Sequence, residues 1–395
     1  MKRLFALLLV VVMVVGMMAA CGKKNDGKMK VGFIFLHDEN STYDKNFIDA
    51  AKQACEEMGV EMLQKTQIPE SEKCYDAAIE LIEDGCELIF ADSFGHESFL
   101  MKAAKENPKV QFCHATGTQA HTAKDLKNFH NAFASIYQGR YAAGVVAGLK
   151  LNEMIQNGKI TADKAKMGYV GAFTFAEVIS GYTSFYLGAK SVCPTVTMDV
   201  KFTGSWYDET KEKQAAQALI DGGCVLISQH ADSMGAPTAC ENAKVPNVSY
   251  NGSTAAACPE TFLISSRINW VPYFKYIITQ VKDGKAIDVD WTGTMVNEAV
   301  VLTELGKSVA PGTQAKLDEV VKGLKDGTIN VFDTKNFTVG GKTLTSYMAD
   351  VDTDPDFAKD TEVIANGIFQ ESKFRSGPYF DLEIDGITLL DRNYG

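Results

Sequence analysis

Trp206 is the residue best suited to ligand chemistry. It stands in "TGSWYDETKEKQAAQALIDGG", after an apolar run and ahead of a helical pattern that Asp208 can cap, with Glu209 and Glu212 in or near the first turn. A core tryptophan usually sits inside an element, whereas one at the mouth of a strand offers its face to a ligand. A second aromatic position lies in "HDENSTYDKNF", where Tyr43 or Phe47 occupies a strand-to-helix turn. Either ring could meet a ligand, and either could cap the local core. Two rings from different parts of the chain would sandwich a flat heterocycle, because offset stacking favours planar partners.

Planar rings also need groups that read their edges. Carboxylates accept hydrogen bonds, amides both donate and accept, and the combination selects a ring by its own donors and acceptors. Asp92, Gln138 and Asn251 are candidates, with Phe94 as a further aromatic in the loop after "ELIFA". The segment "QHADS" adds Gln229, His230, Asp232 and Ser233. Arg140 in "IYQGRYAAG" serves either a hinge salt bridge or a ligand anchor, and Trp270 in "RINWVPYFKY" either borders the cleft or packs on the sheet.

Other chemistries find little support. Asp38, Asn40 and Asp44 are spaced somewhat like a calcium loop, but Tyr43 stands where such a loop needs glycine. The histidines have no metal-ligand spacing, and G-x-S-x-G, H-E-x-x-H and Walker motifs are missing. No metal, no cofactor and no catalytic group is expected, so a binding protein is preferred to an enzyme.

The elements that would position these residues alternate. "KVGFIFLHD" is a strand pattern, followed by helical spacing in "NFIDAAKQACEEMGVEM"; "CYDAAIELIEDG", "CELIFADSFG", "ESFLMKAAKENP" and "KVQFCHATG" continue the sequence of helix and strand. Such alternation predicts parallel sheets covered by helices. The pattern then recurs: "KVGFIF" from Lys30 matches "KMGYVG" from Lys166, and "AAIELIEDGCELI" from Ala77 matches "AAQALIDGGCVLI" from Ala215, at nearly one offset. The chain therefore reads as α/β, with two doubly wound parallel-sheet lobes. Lobe 1 spans 29–130, with about 262–290 returning to it, lobe 2 spans 131–261, and 291–395 supplies a crossover and a C-terminal extension. Ligands of open α/β sheets bind beyond the carboxyl ends of the strands. The relevant loops are 37–46, 92–97, 116–120, 172–177, 203–209, 229–235 and 250–254.

The N-terminus sets the location. Lys2 and Arg3 precede an apolar run to Met18, and Met18-Ala19-Ala20-Cys21 leads into the polar stretch "GKKNDGK". Residues 1–20 read as a signal peptide too short for a comfortable membrane span. The four residues resemble a bacterial lipobox, which implies lipidation of Cys21, with 21–28 as lipidated residue and tether and the body held at the extracytoplasmic face of the membrane. The net charge of -11 argues against a nucleic-acid partner. The other eight cysteines are scattered through apolar runs such as "DGCELIF", which reads as mainly free, buried thiols.

The succession "VGFIFLHDENSTYDKNF", "ELIFADSFG", "VQFCHATGT", "YQGRYAAGVVAG", "GSWYDETKEKQAAQALIDGGCVLISQHADS" and "INWVPYFKY" resembles the basic membrane protein (BMP) family of ABC-importer receptors over roughly residues 18–325. The resemblance implies a type I periplasmic-binding fold with a three-strand hinge, an ABC permease as partner, and a monomeric receptor for a purine base or nucleoside. It also implies that an aromatic in the first loop and Trp206 clamp the base. The family's first loop usually reads D-K-S-F-N, and here it is Tyr43-Asp44-Lys45-Asn46-Phe47, which leaves Tyr43 and Phe47 both open. Gln138 stands where a related branch has Glu, and Asn251 falls near the family's acidic ribose contact, which tilts the reading toward a free base. Sugar or riboflavin binding, an anchored nucleoside hydrolase using Asp38 or Asp92 as base, and a signalling sensor are the alternatives. Beyond Lys325, the turns "VGGK" and "EIDG" predict hairpins or a flap near the cleft.

Overall fold

The computed structural model describes residues 27–351 and 358–392. The leader, Cys21 and most of the tether lie outside the described residues.

Alternating patterns fold as expected. Strands β1 (Lys30–Ile34), β2 (Glu61–Lys65), β3 (Leu88–Ala91), β4 (Gln111–Ala115) and β5 (Phe129–Ala134) belong to the first lobe. Strands β6 (Lys166–Gly171), β7 (Thr197–Phe202), β8 (Leu226–His230), β9 (Asn247–Tyr250) and β10 (Phe262–Ile268) follow in the second. The chain then adds β11 (Asp290–Gly293) to the first sheet and β12 (Val300–Leu302) to the second. The sheet orders are β11-β5-β4-β3-β1-β2 and β12-β10-β9-β8-β6-β7, the latter extended by the strand Ile387–Leu389 beside β7. All neighbours run parallel except β12, which is antiparallel to β10. Near-continuous apolar strands such as "LIFA", buried at every position, are what two-sided burial of a parallel sheet demands.

The chain crosses between lobes at 134–137, 268–271 and 293–300, which is the three-segment hinge the resemblance implies. One boundary needs correction. Residues 262–290 do not return to lobe 1 as a unit, because β10 pairs with β9 and β12 in the second sheet. Only the helix Val271–Lys282 and β11 return; the helix packs on Thr42–Met58 of lobe 1. Apolar strands of two parallel sheets look alike in sequence, so nothing local marks the sheet to which β10 belongs. The other boundary also shifts, since β5 stays in lobe 1 through Ala134.

Lobe 2 is tied together by the helices Tyr137–Gln156 and Ala176–Val192. Their backbones touch because Gly144 and Gly188 face the partner helix: a Cβ on either would lie 2.0 Å from a carbonyl oxygen, of Phe185 or Tyr141. All eight described cysteines are free and buried. Among the described residues no helix is long and apolar enough to cross a membrane.

Candidate ligand-binding cleft

The cavity between the lobes, about 360 Å³ of empty space counting the part open to solvent, is lined by Leu36, His37, Tyr43, Asp44, Ser93, Phe94, Thr116, Glu177, Trp206, His230, Asp232 and Tyr250. All but Leu36 fall within the strand-end loops expected from sequence. The helix Thr42–Met58 starts at the rim, where Ser41 caps it by accepting the Asp44 N–H at 3.1 Å. This start places Tyr43 on the first turn, facing the cavity, and its hydroxyl donates to the backbone oxygen of Asp92 at 2.8 Å.

Trp206 lines the cavity from the other lobe, with its ring edge-on to Phe173 at 5.0 Å and tilted against Phe175 at 6.0 Å. Gly204 supports the turn before it with φ 69°, a conformation that favours glycine. Phe94 reaches across to Phe175 at 5.3 Å, so aromatic contact bridges the lobes at the mouth. His37 meets Tyr207 at 5.4 Å, and the Thr42 N–H donates to the Asp232 backbone oxygen at 3.0 Å. The lobes are thus in a closed arrangement.

Charge in the cleft is arranged by burial. Burial alone would push the Asp44 carboxyl up, but hydrogen bonds from the His37 ring, Ser41 and the His37 backbone N–H outweigh it and hold Asp44 low. Asp92 goes the other way, raised well above the ordinary range by burial and then by the Asp44 charge; its Oδ1 accepts the Leu36 N–H, at 3.1 Å. Asp232, which lines the cavity, is raised by burial and by Asp44, Glu212 and Glu177. A carboxyl held toward its neutral form can donate through O–H and accept through C=O. His230 is lowered to about 4 by burial and the nearby Arg140, so the ring that packs on Tyr250 at 4.7 Å is neutral. Arg140 is itself buried, 3.4 Å over the Tyr250 ring, with Nη1 donating to the Gln229 oxygen at 2.9 Å. It braces the cavity wall from behind.

Of the residues singled out in the sequence, Tyr43, Phe94, Trp206, His230 and Asp232 line the cavity. Asp92 lies directly behind it and fixes the Tyr43 ring. Arg140, Gln229 and Ser233 do not line it, and neither do four others. Phe47 is fully buried and stacks on Trp270 at 4.5 Å and 24°, and Trp270 packs further against Phe90 and Tyr273. Both rings belong to the lobe 1 core. Gln138 sits at the hinge, where its Oε1 accepts the Met295 N–H at 3.0 Å. Asn251 is buried with φ 61° and pairs its N–H with the Ser266 oxygen at 2.9 Å; it does not line the cavity. Sequence reasoning passed over Thr116, Glu177 and Tyr250, although all three lie in the loops it marked. Among the described residues no cluster of His, Cys, Asp or Glu could hold a metal ion.

Two α/β lobes, a three-segment hinge and an interlobe cavity define a periplasmic-binding-protein fold. The chain belongs to the Bmp family, described as "ABC transporter substrate-binding protein PnrA-like", which it matches over residues 34–335. It is therefore a substrate-binding protein of an ABC transporter, a class that works outside the cytoplasm. A purine-binding protein of Brucella abortus is 30% identical over 82% of this chain and 89% of its own. A Haloferax volcanii protein, named provisionally as an ABC transporter glucose-binding protein, is 29% identical over 66% and 63%. A solved solute-binding protein from Aeropyrum pernix K1 shares the fold with a TM-score of 0.64 at 15% identity, over 83% of this chain and 95% of that one.

Proposed function

We propose that this protein captures a purine base or nucleoside between its lobes and delivers it to an ABC permease from a lipid anchor on Cys21. The observation that carries the reading is that Tyr43 and Trp206, contributed by opposite lobes, line one small cavity. Only a closed cleft brings both to a ligand, so a stacked base favours closure. Asp232 supports the edge reading, because a neutral carboxyl pairs with adjacent donor and acceptor atoms of a heterocycle. The Brucella relative's purine ligand agrees with this reading.

Calorimetric titration of residues 22–395 with adenine, guanine, hypoxanthine, adenosine, inosine, riboflavin, ribose and glucose tests it. A purine is expected to bind, and Trp206→Ala to weaken it by about 1–3 kcal/mol, roughly 5- to 150-fold, the contribution of one base–aromatic stack. Binding of ribose or glucose alone, or a purine indifferent to Trp206→Ala, would overturn the proposal. Labelling with radioactive palmitate, lost in Cys21→Ala, tests the anchor.

A further inference from the structure

The C-terminal extension does not simply trail from the hinge. It is anchored on lobe 2, where Ile387–Leu389 pairs with β7 and Asp391 bridges Lys201 at 3.1 Å. Just before that anchor, residues 371–378 run across the mouth of the cleft and touch both lobes. On the lobe 2 side the buried Glu371 accepts the Ser180 hydroxyl at 2.6 Å. On the lobe 1 side the Ser376 N–H donates to Asp290 Oδ2 at 2.7 Å, and Gly377 lies against the 116–118 loop. The fit there is close: a Cβ on Gly377 would stand 3.1 Å from Thr118 Cγ2 and 3.2 Å from the Gly117 oxygen. Within the segment, Arg375 Nε donates to the Gly377 oxygen at 3.1 Å, which stiffens the bend.

Behind this segment lies a second compartment, lined by Arg375, Gly377 and Pro378 together with Phe94, Thr116 and Glu177. The last three also line the ligand cavity, so they stand between it and the extension. A segment fixed to one lobe and seated on the other must leave one of its seats when the lobes part. The seat on lobe 1, made by the Ser376 N–H, Gly377 and the charge of Arg375 near Asp290 and Glu97, includes no strand pairing among the described residues, whereas the seat on lobe 2 includes a strand of the sheet.

We propose that residues 371–378 form a latch on the cleft, detaching from Asp290 and the 116–118 loop of lobe 1 each time the lobes open. The latch makes opening slower than the hinge alone would allow, whatever the ligand.

A reversible staple tests this without choosing a ligand. In the full chain carrying Thr118→Cys and Gly377→Cys, the two new thiols stand on side-chain positions already in van der Waals contact, where a disulfide can form; the eight described native cysteines are buried. The readout is hydrogen exchange, by mass spectrometry, of the peptide that contains Thr42, whose N–H is buried between lobes. After oxidation with diamide the peptide is expected to exchange at least about tenfold more slowly than after reduction with dithiothreitol, as when the opening that exposes an amide is suppressed. A second variant, Gly377→Val, should lift the segment and speed the same exchange. Equal exchange in oxidised and reduced protein would overturn the proposal, as would failure of the two thiols to pair. Neither outcome bears on whether a purine binds.

Discussion

Tyr43 and Phe47 show how one turn of helix separates a ring that lines the cavity from a core residue. They are spaced i, i+4, so they share a face of the helix Thr42–Met58, and their rings meet edge-on at 4.8 Å. Position along the helix then decides their roles. Tyr43 is on the turn at the rim, where a hydroxyl can reach the Asp92 oxygen; Phe47 is one turn deeper, where only an apolar ring can stack on Trp270. A choice that composition left open is thus resolved by depth. Phe47→Ala should behave as a core truncation, costing about 3–5 kcal/mol in urea unfolding. Ligand affinity of the protein that remains folded should change far less than in Trp206→Ala. Titration alongside the unfolding curve separates the two effects, and a large affinity loss with unchanged stability would return Phe47 to the binding site.

At the scale of elements, the loops of the cleft were legible because each follows an apolar run that could only be a buried strand. The choice of side chain within each loop was not. Glu177 opens the helix Ala176–Val192 and Tyr250 ends β9, and in sequence both resemble ordinary boundary residues. Gln138 and Asn251 lie away from the cavity lining for the opposite reason: their types suit edge reading, but one sits at the hinge and the other at a left-handed backbone position. The extension was legible only as turns. Its two-residue bend at Gly340 and Gly341, with φ 58° and 78°, is the hairpin that "VGGK" predicts. Its buried acid Glu371 gives a prediction. Burial, with help from Glu177, pushes Glu371 up to about 7 against the hydrogen bonds of Ser180 and Ser372 and the charge of Arg375. The folded protein therefore holds this proton to higher pH than the unfolded chain. Its contribution is fully present below the unfolded value of about 4.5 and is lost as pH rises through about 7. Glu371→Gln, which keeps an acceptor for Ser180 and removes the titration, should grow more stable relative to wild type between these limits and then level off. The gap is at most about 3 kcal/mol. Denaturation at pH 4.5, 6 and 8 checks it; a gap that narrows with rising pH would show the carboxylate to be favoured in place.

The whole molecule works as a receptor only if closure and ligand capture are coupled, and one backbone contact offers a clean way to measure that coupling. Thr42 is the first residue of its helix, and its N–H, which no intrahelical oxygen can accept, donates across the cleft to the Asp232 oxygen at 3.0 Å. Its hydroxyl adds a longer contact to the same oxygen at 3.2 Å. Proline is well tolerated at the first helical position, and Ser41 before it is already extended, with φ -76° and ψ 127°, as a residue preceding proline should be. Thr42→Pro therefore deletes the interlobe donor while leaving the helix and its Ser41 cap in place. A net hydrogen bond contributes about 0.5–1.5 kcal/mol, so ligand affinity should fall by roughly 2- to 13-fold. The loss should appear as faster dissociation, because the contact exists only in the closed state. Stability of the ligand-free protein should fall by no more than the same single bond contributes, since closure is the only arrangement in which it forms. Stopped-flow release beside thermal unfolding distinguishes the cases: slower association with unchanged release would mean that this contact guides entry, and closure would have to be credited to the aromatic bridge of Phe94 and Phe175 instead.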